Sequence, residues 1–217
     1  MRRRCADLKF FLCAPIRAEN LKFQNRFFFA FCVFRVTFRD KMAAAELLER
    51  LKGAVKDAPD FPRPGILFKD IMPVFQDPKL VWDTCEALTD AVLKVGKPDV
   101  IIGIEARGFL IGPIMAQQMG LPFVAIRKKG KLPRECFSVK YEKEYGVDEF
   151  DMQKDALKPG QKVVVVDDLL ATGGTLGAAA KLCDMAKATV IAHCVMFEVD
   201  FLKGRERLTH PVVSLVR

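Results

Sequence analysis

Two adjacent carboxylates followed by a segment of small and hydroxyl residues are the groups in this chain best suited to chemistry. Asp167 and Asp168 directly follow the four valines Val163–Val166. The next segment consists of Leu169, Leu170, Ala171, Thr172, Gly173, Gly174 and Thr175. Backbone N–H groups of such a loop at the start of a helix bind phosphate, because they point at the anion and the helix dipole favours negative charge. The two threonine hydroxyls add donors.

The two carboxylates suit a sugar beside that phosphate. At the end of a strand we expect them to point to opposite sides of the sheet and to accept hydrogen bonds from sugar hydroxyls. Phosphate donors and diol acceptors at one strand end predict a ribose 5-phosphate site. Two alternatives stay open, since paired aspartates can also hold a metal ion or cap a helix. The chain lacks the GxxxxGK[ST] pattern of P-loops and the GxGxxG pattern of dinucleotide sites.

Strands and helices alternate in the elements that must position these groups. The valine run is typical of a strand buried on both faces of a parallel sheet, so the alternation predicts a doubly wound α/β fold. Its ligands would lie at the carboxyl ends of the strands, in the loops after Ile104, Ile126 and Val166. The predicted helices span residues 45–55, 77–95, 109–119 and 175–187, and the predicted strands 99–104, 123–126, 163–166 and 189–197.

Two segments break the alternation. Residues 58–65 contain three prolines, which predict an irregular turn segment. Residues 127–155 are dense in Lys and Glu and show only weak alternation at Phe137, Val139 and Tyr141. A long excursion of this kind is interpreted either as a functional flap or as a solvated surface loop without a role.

Composition limits the class of protein. A chain of 217 residues, 51% hydrophobic and 29% charged, is expected to form one domain. Residues 1–41 hold ten Lys/Arg against three acids, a net +7 of the total +8, so residues 42–217 carry only +1. The basic character therefore does not predict a nucleic-acid partner. Seven scattered cysteines without CxxC spacing predict reduced thiols in the cytoplasm, and no apolar run approaches the length of a membrane span.

The first 41 residues differ from the rest in composition. They contain nine of the eighteen phenylalanines, interleaved with arginine. Three interpretations remain: an organelle transit peptide, a membrane-surface or partner-binding segment, or a start codon assigned too early, with Met42 as the true start. We exclude residues 1–41 from the fold and predict a domain of residues 42–217.

The segment 163–175 resembles the phosphoribosyl-pyrophosphate signature of the type I phosphoribosyltransferase family. The resemblance extends to the adenine-specific branch of the family over about residues 45–216, through the motifs 61–70, 103–109, 127–133 and 144–146. It implies a mostly parallel twisted sheet flanked by helices, with an N-terminal hood and a flexible flap. It also implies purine salvage, in which the 5-phosphoribosyl group of phosphoribosyl pyrophosphate passes to adenine, giving AMP and pyrophosphate.

The resemblance assigns roles to residues on both sides of the sugar. The 5-phosphate would lie on residues 171–175 and the ribose hydroxyls on the two aspartates. Pyrophosphate needs cations, for which Arg107, Lys128 and Lys131 are the candidates. Arg107 would also serve in catalysis, and the Ala106–Arg107 peptide bond is expected to be cis.

The base would lie between Phe68 and Leu169, with its edge bonded to the backbone of Leu67 and Lys69. Relatives usually carry Arg where Lys69 stands, and a backbone contact should survive that change. Glu144 is the candidate for proton transfer to or from the base, carried on the closing flap. Its alternative interpretation is a flap surface charge.

The resemblance further implies Mg²⁺, arriving with pyrophosphate and water rather than on protein ligands. It implies a homodimer, with Arg107 and Lys131 acting across the interface. Two alternatives to adenine transfer remain: a regulator that binds phosphoribosyl pyrophosphate without turnover, and an enzyme specific for hypoxanthine or guanine. His193 and His210 are expected to take no part.

Overall fold

The computed structural model describes residues 44–61, 63–65, 67–143 and 146–217. The predicted leader of residues 1–41 and its boundary at Met42 lie outside these residues and stay predictions. The first described element is helix α1, residues 44–54. Leu51 is fully buried on its inner face, with Leu47, Ala54 and Val55 packed against the same core, which confirms the predicted amphipathic helix.

A seven-stranded sheet forms the centre of the domain, in the order β5-β6-β4-β3-β7-β8-β9. Its parallel strands are β3 (Val100–Ile104), β4 (Phe123–Lys128), β7 (Lys162–Leu170), β8 (Thr189–Glu198) and β9 (Val212–Val216). An antiparallel hairpin of β5 (Cys136–Lys143) and β6 (Gly146–Gln153) extends the sheet beyond β4. The predicted α/β class with a mostly parallel sheet is confirmed.

Helices cover both faces of this sheet. They are α2 (Pro78–Val95), α3 (Gly108–Met119) and α4 (Gly174–Met185), each within two residues of its predicted bounds. Helix α2 begins where Asp77 caps it, with the carboxylate accepting hydrogen bonds from the N–H groups of Lys79 and Leu80.

The valine run of β7 faces two different cores. Val164 and Val166 pack with side chains of α1, α2 and α3, whereas Val163 and Val165 pack with α4 and the β5–β6 hairpin. All four valines are fully buried. Because successive side chains of a strand point to opposite faces, a strand covered on both sides must be apolar at every position.

The expectation that residues 58–65 contain no regular element is wrong at their start. Strand β1 (Lys56–Pro59) pairs antiparallel with β2 (Leu67–Asp70) in a separate two-stranded sheet. Pro59 is tolerated because it is the last residue of a strand with only one neighbour, where a missing N–H need not interrupt a ladder. A 3₁₀ turn, Met72–Gln76, then leads into α2.

The excursion at residues 127–155 is also more regular than expected. Strands β5 and β6 pair over eight residues, from Cys136 opposite Gln153 to Lys143 opposite Gly146. Tyr141 stacks on Phe150 with ring centroids 4.6 Å apart, and both side chains are buried. The weak alternation at Phe137, Val139 and Tyr141 was therefore the inward face of a half-exposed strand.

Candidate active site

The carboxyl ends of three neighbouring strands meet at one edge of the sheet. Strand β3 lies between β4 and β7, and Gly103 is the register partner of both Ala125 and Val166. The three loops predicted to form the site therefore converge. Among the described residues, no helix is long and apolar enough to cross a membrane.

The two aspartates lie inside β7 rather than after its end. The strand continues past Val166 because Leu169 and Leu170 still pair with β8, so the predicted end at Val166 is wrong. Asp168 is buried, and its carboxylate Oδ2 lies 2.9 Å from Nε of Arg107. The backbone N–H of Asp168 donates to Oδ1 of Asp167 at 3.0 Å. The acid pair is thus linked to the first loop, which follows β3.

Burial raises the pKa of Asp167 well above its usual range, and the neighbouring charge of Asp168 raises it further, while Arg107 opposes both effects. A carboxyl group held closer to protonation can donate as well as accept a hydrogen bond. A vicinal diol presents both donors and acceptors, so the pair suits the hydroxyls of a sugar.

A tight turn connects β7 to helix α4. Gly173 adopts φ = 86° as the residue preceding the helix, a left-handed conformation that L side chains adopt only under strain. Beside the turn lies a cavity of about 540 Å³, lined by Thr172, Gly173 and Gly174. Lys140, Lys181 and Arg207 also line it, and none of these three cations was predicted from the sequence. The cavity has the charge and the backbone geometry of an anion site.

The cations predicted for pyrophosphate lie at the other two loops. Lys128 and Lys131 are exposed at and just beyond the end of β4, with Nζ of Lys128 3.9 Å from Asp148. Arg107 is partly exposed beside Asp168. Arg107 therefore follows β3, and Lys128 ends the neighbouring strand β4.

An ion pair missed in the sequence joins these two loops. Arg127 donates from Nε and Nη2 to the two carboxylate oxygens of Glu105, at 3.3 and 3.1 Å. Glu105 also accepts from the backbone N–H of Lys128 at 3.0 Å, and Arg127 donates to the carbonyl of Lys131 at 2.9 Å. These bonds, those from Arg127 first, hold the pKa of Glu105 below its usual range. The sequence signal for this ion pair was an acid in the motif 103–109 and a base in the motif 127–133.

The cis peptide bond lies one position earlier than expected. It joins Glu105 to Ala106, and the prediction for Ala106–Arg107 is wrong. The N–H of Glu105 still bonds to the carbonyl of Ile126 at 2.9 Å, so the backbone leaves the sheet at the peptide that follows Glu105.

Three of the four predicted base-binding residues lie near Arg107 or Asp168. Phe68 is half-buried; its ring lies 5.2 Å from that of Phe61, edge to face, and 5.7 Å from Cζ of Arg107. Lys69, Asp168 and Leu169 line a cavity of about 610 Å³. The described part of the chain therefore brings Phe68 to Arg107, and Lys69 and Leu169 to the buried carboxylate.

Comparison with known proteins identifies the family to which this chain belongs. The phosphoribosyl transferase domain family matches residues 77–216. Adenine phosphoribosyltransferase 1 of Saccharomyces cerevisiae is 45% identical over 179 residues, 81% of this chain and 95% of that protein. The adenine phosphoribosyltransferase of a Synechococcus species is 48% identical over 167 residues, 76% of this chain and 97% of that protein. This chain belongs to the adenine phosphoribosyltransferase family.

Solved structures of adenine phosphoribosyltransferases support the same assignment of the fold. The Saccharomyces cerevisiae enzyme, crystallised with an iminoaltritol bisphosphate and adenine, superposes with a TM-score of 0.74 at 44% identity, covering 79% of this chain and 99% of that one. The enzyme of Thermoanaerobacter pseudethanolicus gives a TM-score of 0.75 at 46% identity, covering 78% and 98%. The domain therefore has the type I phosphoribosyltransferase fold, and members of this family form AMP in purine salvage.

Two of the predicted site residues lie wholly or partly outside the described part of the chain. Glu144 lies outside the described residues, beside the paired positions Lys143 and Gly146 at the end of the hairpin. Only the backbone of Leu67 is described, in β2. His193 and His210 pack against each other with ring centroids 5.7 Å apart, His193 in β8.

Proposed function

We propose that this chain transfers the 5-phosphoribosyl group from phosphoribosyl pyrophosphate to adenine, releasing pyrophosphate. One observation carries the proposal: a buried carboxylate, paired with an arginine, lines a cavity large enough for a base and lies three residues before an anion-suited turn. A sugar that carries phosphate at one end and exchanges pyrophosphate for a base at the other needs this order of groups.

The 5-phosphate would bind the turn formed by residues 171–175. Its backbone N–H groups and threonine hydroxyls would donate to the phosphate oxygens, supported by the dipole of α4. Lys140, Lys181 and Arg207 line the same cavity and would add attraction for a dianion. Substrates without the phosphate would lose these contacts.

The ribose hydroxyls would bind Asp167 and Asp168. When pyrophosphate leaves, the anomeric carbon gains positive charge, and fixed carboxylates stabilise that charge without reorganising. The contact of Arg107 with both Asp168 and Phe68 supports a position for Arg107 between the sugar, the base and the leaving group. The task of the site is therefore positioning and charge stabilisation.

Pyrophosphate would bind Arg107, Lys128 and Lys131. The Glu105–Arg127 pair supports this role, since it holds the backbone of both lysines beside the loop that carries Arg107. Mg²⁺ is a hard cation that prefers oxygen ligands, and no group of three potential metal ligands occurs in the described part of the chain. Asp168 is already occupied by Arg107, so Mg²⁺ would be held mainly by substrate oxygens and water and would offset the charge of the pyrophosphate.

Adenine would stack between Phe68 and Leu169. Stacking on an aromatic ring is worth about 1–3 kcal/mol for a base. Leu67 and Lys69 are two residues apart in β2, so their backbone groups point in the same direction and could bind one edge of the base. An edge arranged for the amino group of adenine would reject the keto group of hypoxanthine.

Glu144 would transfer the proton to or from the base, with the β5–β6 hairpin closing over the site as the flap. Closure would exclude water from a cation-like sugar, which would otherwise be hydrolysed.

We further propose a cytoplasmic homodimer whose domain comprises residues 42–217. Exposed Trp82 and Leu93, eleven residues apart on one face of α2, support a contact surface, since large apolar side chains in solvent often mark interfaces. Sedimentation equilibrium would measure the mass of the assembly.

The first experiment is AMP formation by the full-length protein with adenine, phosphoribosyl pyrophosphate and Mg²⁺, beside an Asp168→Asn variant. We expect turnover by the wild-type protein and a loss of kcat/KM of roughly 100-fold or more in the variant, the size typical of a lost transition-state charge interaction. Faster turnover with hypoxanthine than with adenine would overturn the assignment of the base. An Asp168→Asn variant of full activity would overturn that of the sugar site.

A further inference from the structure

The segment that joins β8 to β9, residues 199–211, packs directly against the phosphate-binding turn. A Cβ atom on Gly204 would lie 2.1 Å from the carbonyl oxygen of Ala171, closer than any side chain permits. A Cβ on Gly173 would in turn lie 2.7 Å from the carbonyl oxygen of Gly204. The two backbones are therefore in close contact at both Ala171 and Gly173, and the position of Gly204 limits where the turn can lie.

An ion pair fixes the backbone next to Gly204. Arg205 donates from Nε and Nη2 to the two carboxylate oxygens of Glu198, at 2.9 and 2.5 Å. Its third nitrogen, Nη1, donates to the carbonyl of Val212 at 2.7 Å. Glu198 is the last residue of β8 and Val212 the first of β9. Arg205 thus attaches the 199–211 segment to the carboxyl end of one strand and the start of the next.

Glu198 is held from several sides. Its side chain is 5% exposed and also accepts from the hydroxyl of Ser214 at 2.8 Å, with Nε of Arg217 at 3.3 Å. It lines the 610 Å³ cavity together with Asp168 and Leu169. A bidentate pair of this kind specifies orientation as well as proximity, because two parallel hydrogen bonds fix the plane of the guanidinium group.

We propose that the Glu198–Arg205 ion pair is a positioning unit for sugar-phosphate binding. It holds Gly204 against the carbonyl of Ala171, so that the turn presents its N–H groups to the 5-phosphate before the ligand arrives. The inference rests on the proposed function for the identity of the ligand. Arg205 is assigned no contact with substrate, and the pair acts on the 5-phosphate site through the backbone of residues 171–173.

The test combines equilibrium binding with steady-state kinetics on the full-length protein. The variants are Arg205→Met, which removes the pair at similar side-chain length, and Arg205→Lys, which keeps charge but loses the fork. The matched control is Arg50→Met, since Arg50 is equally exposed and pairs with Asp77 at 3.0 Å, in a helix pair away from the turn. Calorimetric Kd values for ribose 5-phosphate, KM values for both substrates and Tm are measured for each.

A positioning role predicts a selective loss of phosphate binding. In Arg205→Met we expect the Kd of ribose 5-phosphate and the KM of phosphoribosyl pyrophosphate to rise roughly tenfold or more, because small displacements of positioning groups are costly. The KM of adenine should change less than about twofold, Arg205→Lys should recover part of the loss, and Arg50→Met should change only Tm. A fall in Tm alone, or an equal rise of both KM values, would overturn the proposal.

A double variant, Glu198→Met with Arg205→Met, keeps the test valid if Arg205→Met does not fold. Replacing a buried ion pair by apolar side chains of similar size is often neutral for stability. Weak ribose 5-phosphate binding by a folded double variant supports positioning, and wild-type binding overturns it. If the wild-type protein makes no AMP but Arg205→Met still loses ribose 5-phosphate affinity selectively, the proposed function fails and the positioning role stands.

Discussion

At the scale of single residues, Asp167 lowers the stability of the folded protein at neutral pH, and its proposed role in binding ribose hydroxyls would explain why an acid stands there. Its pKa is raised in the folded protein, mainly by burial, so between pH 3.8 and the raised value the folded state binds more protons than the unfolded state. The free energy of unfolding therefore falls as the pH rises through this window. At neutral pH this carboxyl group therefore opposes folding.

Asp167→Asn should consequently stabilise the fold at pH 7 while weakening substrate binding. The amide oxygen can still accept the hydrogen bond from the N–H of Asp168, so the substitution removes the ionisable group and little else. We expect a higher free energy of unfolding in urea at pH 7, a gain that shrinks as the pH falls toward 3.8, and a higher KM for phosphoribosyl pyrophosphate. Asp184→Asn, on the exposed side of α4, is the control; equal gains in both variants would contradict the interpretation.

The shifted pKa of His193 has the opposite effect on how stability changes with pH. It is fully buried, neither ring nitrogen has a hydrogen-bond partner among the described residues, and burial lowers its pKa from 6.5 to about 4. Below pH 6.5 the unfolded state takes up a proton that the folded state does not, so stability is present above pH 6.5 and is lost as the pH falls toward 4. The full loss is about 3 kcal/mol at 1.36 kcal/mol per pKa unit.

His193→Leu should remove most of this acid sensitivity. The ring lies between Val165 of β7 and Val212 of β9, where an apolar side chain loses no hydrogen bond. Urea unfolding at pH 7.5 and pH 4.5 should show a smaller difference for the variant than for the wild-type protein. An unchanged difference would assign the acid sensitivity to other groups, such as Glu198, whose pKa is lowered mainly by Arg205.

At the scale of elements, the β5–β6 hairpin, which is the proposed flap, pairs with the end of β4 that carries Lys128. Phe150 of β6 is 2% exposed, stacks on Tyr141 and is the register partner of Lys128 in β4. Phe150→Ala should destabilise the domain by about 3–5 kcal/mol, the usual range for a buried aromatic, and lower kcat/KM for pyrophosphate-dependent steps. Phe150→Leu should lose less in both unfolding and kinetic measurements; equal losses would argue against a packing origin.

The elements read correctly from sequence were those with one dominant local signal. The valine run gave β7, and the Asp77-Pro78 cap gave α2. The hairpin was missed because its outward Lys and Glu side chains resemble those of a loop. The extension of β7 through Asp167 and Asp168 was missed because aspartate is uncommon in strands, and only its pairing with β8 sustains it.

The residues of the candidate site also divide into those that the sequence could predict and those that it could not. The aspartates and the turn form one continuous segment, so their proximity follows from chain order. The Glu105–Arg127 and Glu198–Arg205 pairs depend on which strands are neighbours and on how a loop folds back, which a single sequence does not contain. Arg207 and Lys181 were missed for that reason too, since they meet at the turn only in three dimensions.

At the scale of the whole molecule, charge is divided unevenly along the chain. Residues 1–41 carry +7 of the total +8, whereas Arg107, Lys128, Lys131, Lys140, Lys181 and Arg207, the site cations seen among the described residues, belong to the remainder of the chain. Removing residues 1–41 should therefore leave kcat/KM within about twofold of the full-length value. Enzyme activity and light scattering of the two forms would test this prediction. Loss of activity or aggregation of the shortened form would indicate a role for the leader.

The four valines of β7 alternate between the packing layers on the two faces of the sheet, so their signals can report on each layer separately. Val164 and Val166 lie in the layer of α1–α3, and Val163 and Val165 in the layer of α4 and the hairpin. In a methyl NMR spectrum of valine-labelled protein, ligands that act through the hairpin should perturb one pair of signals, and ligands that act through the helical layer the other. Four neighbouring residues would thereby resolve, in a single titration, which side of the sheet responds first to each substrate.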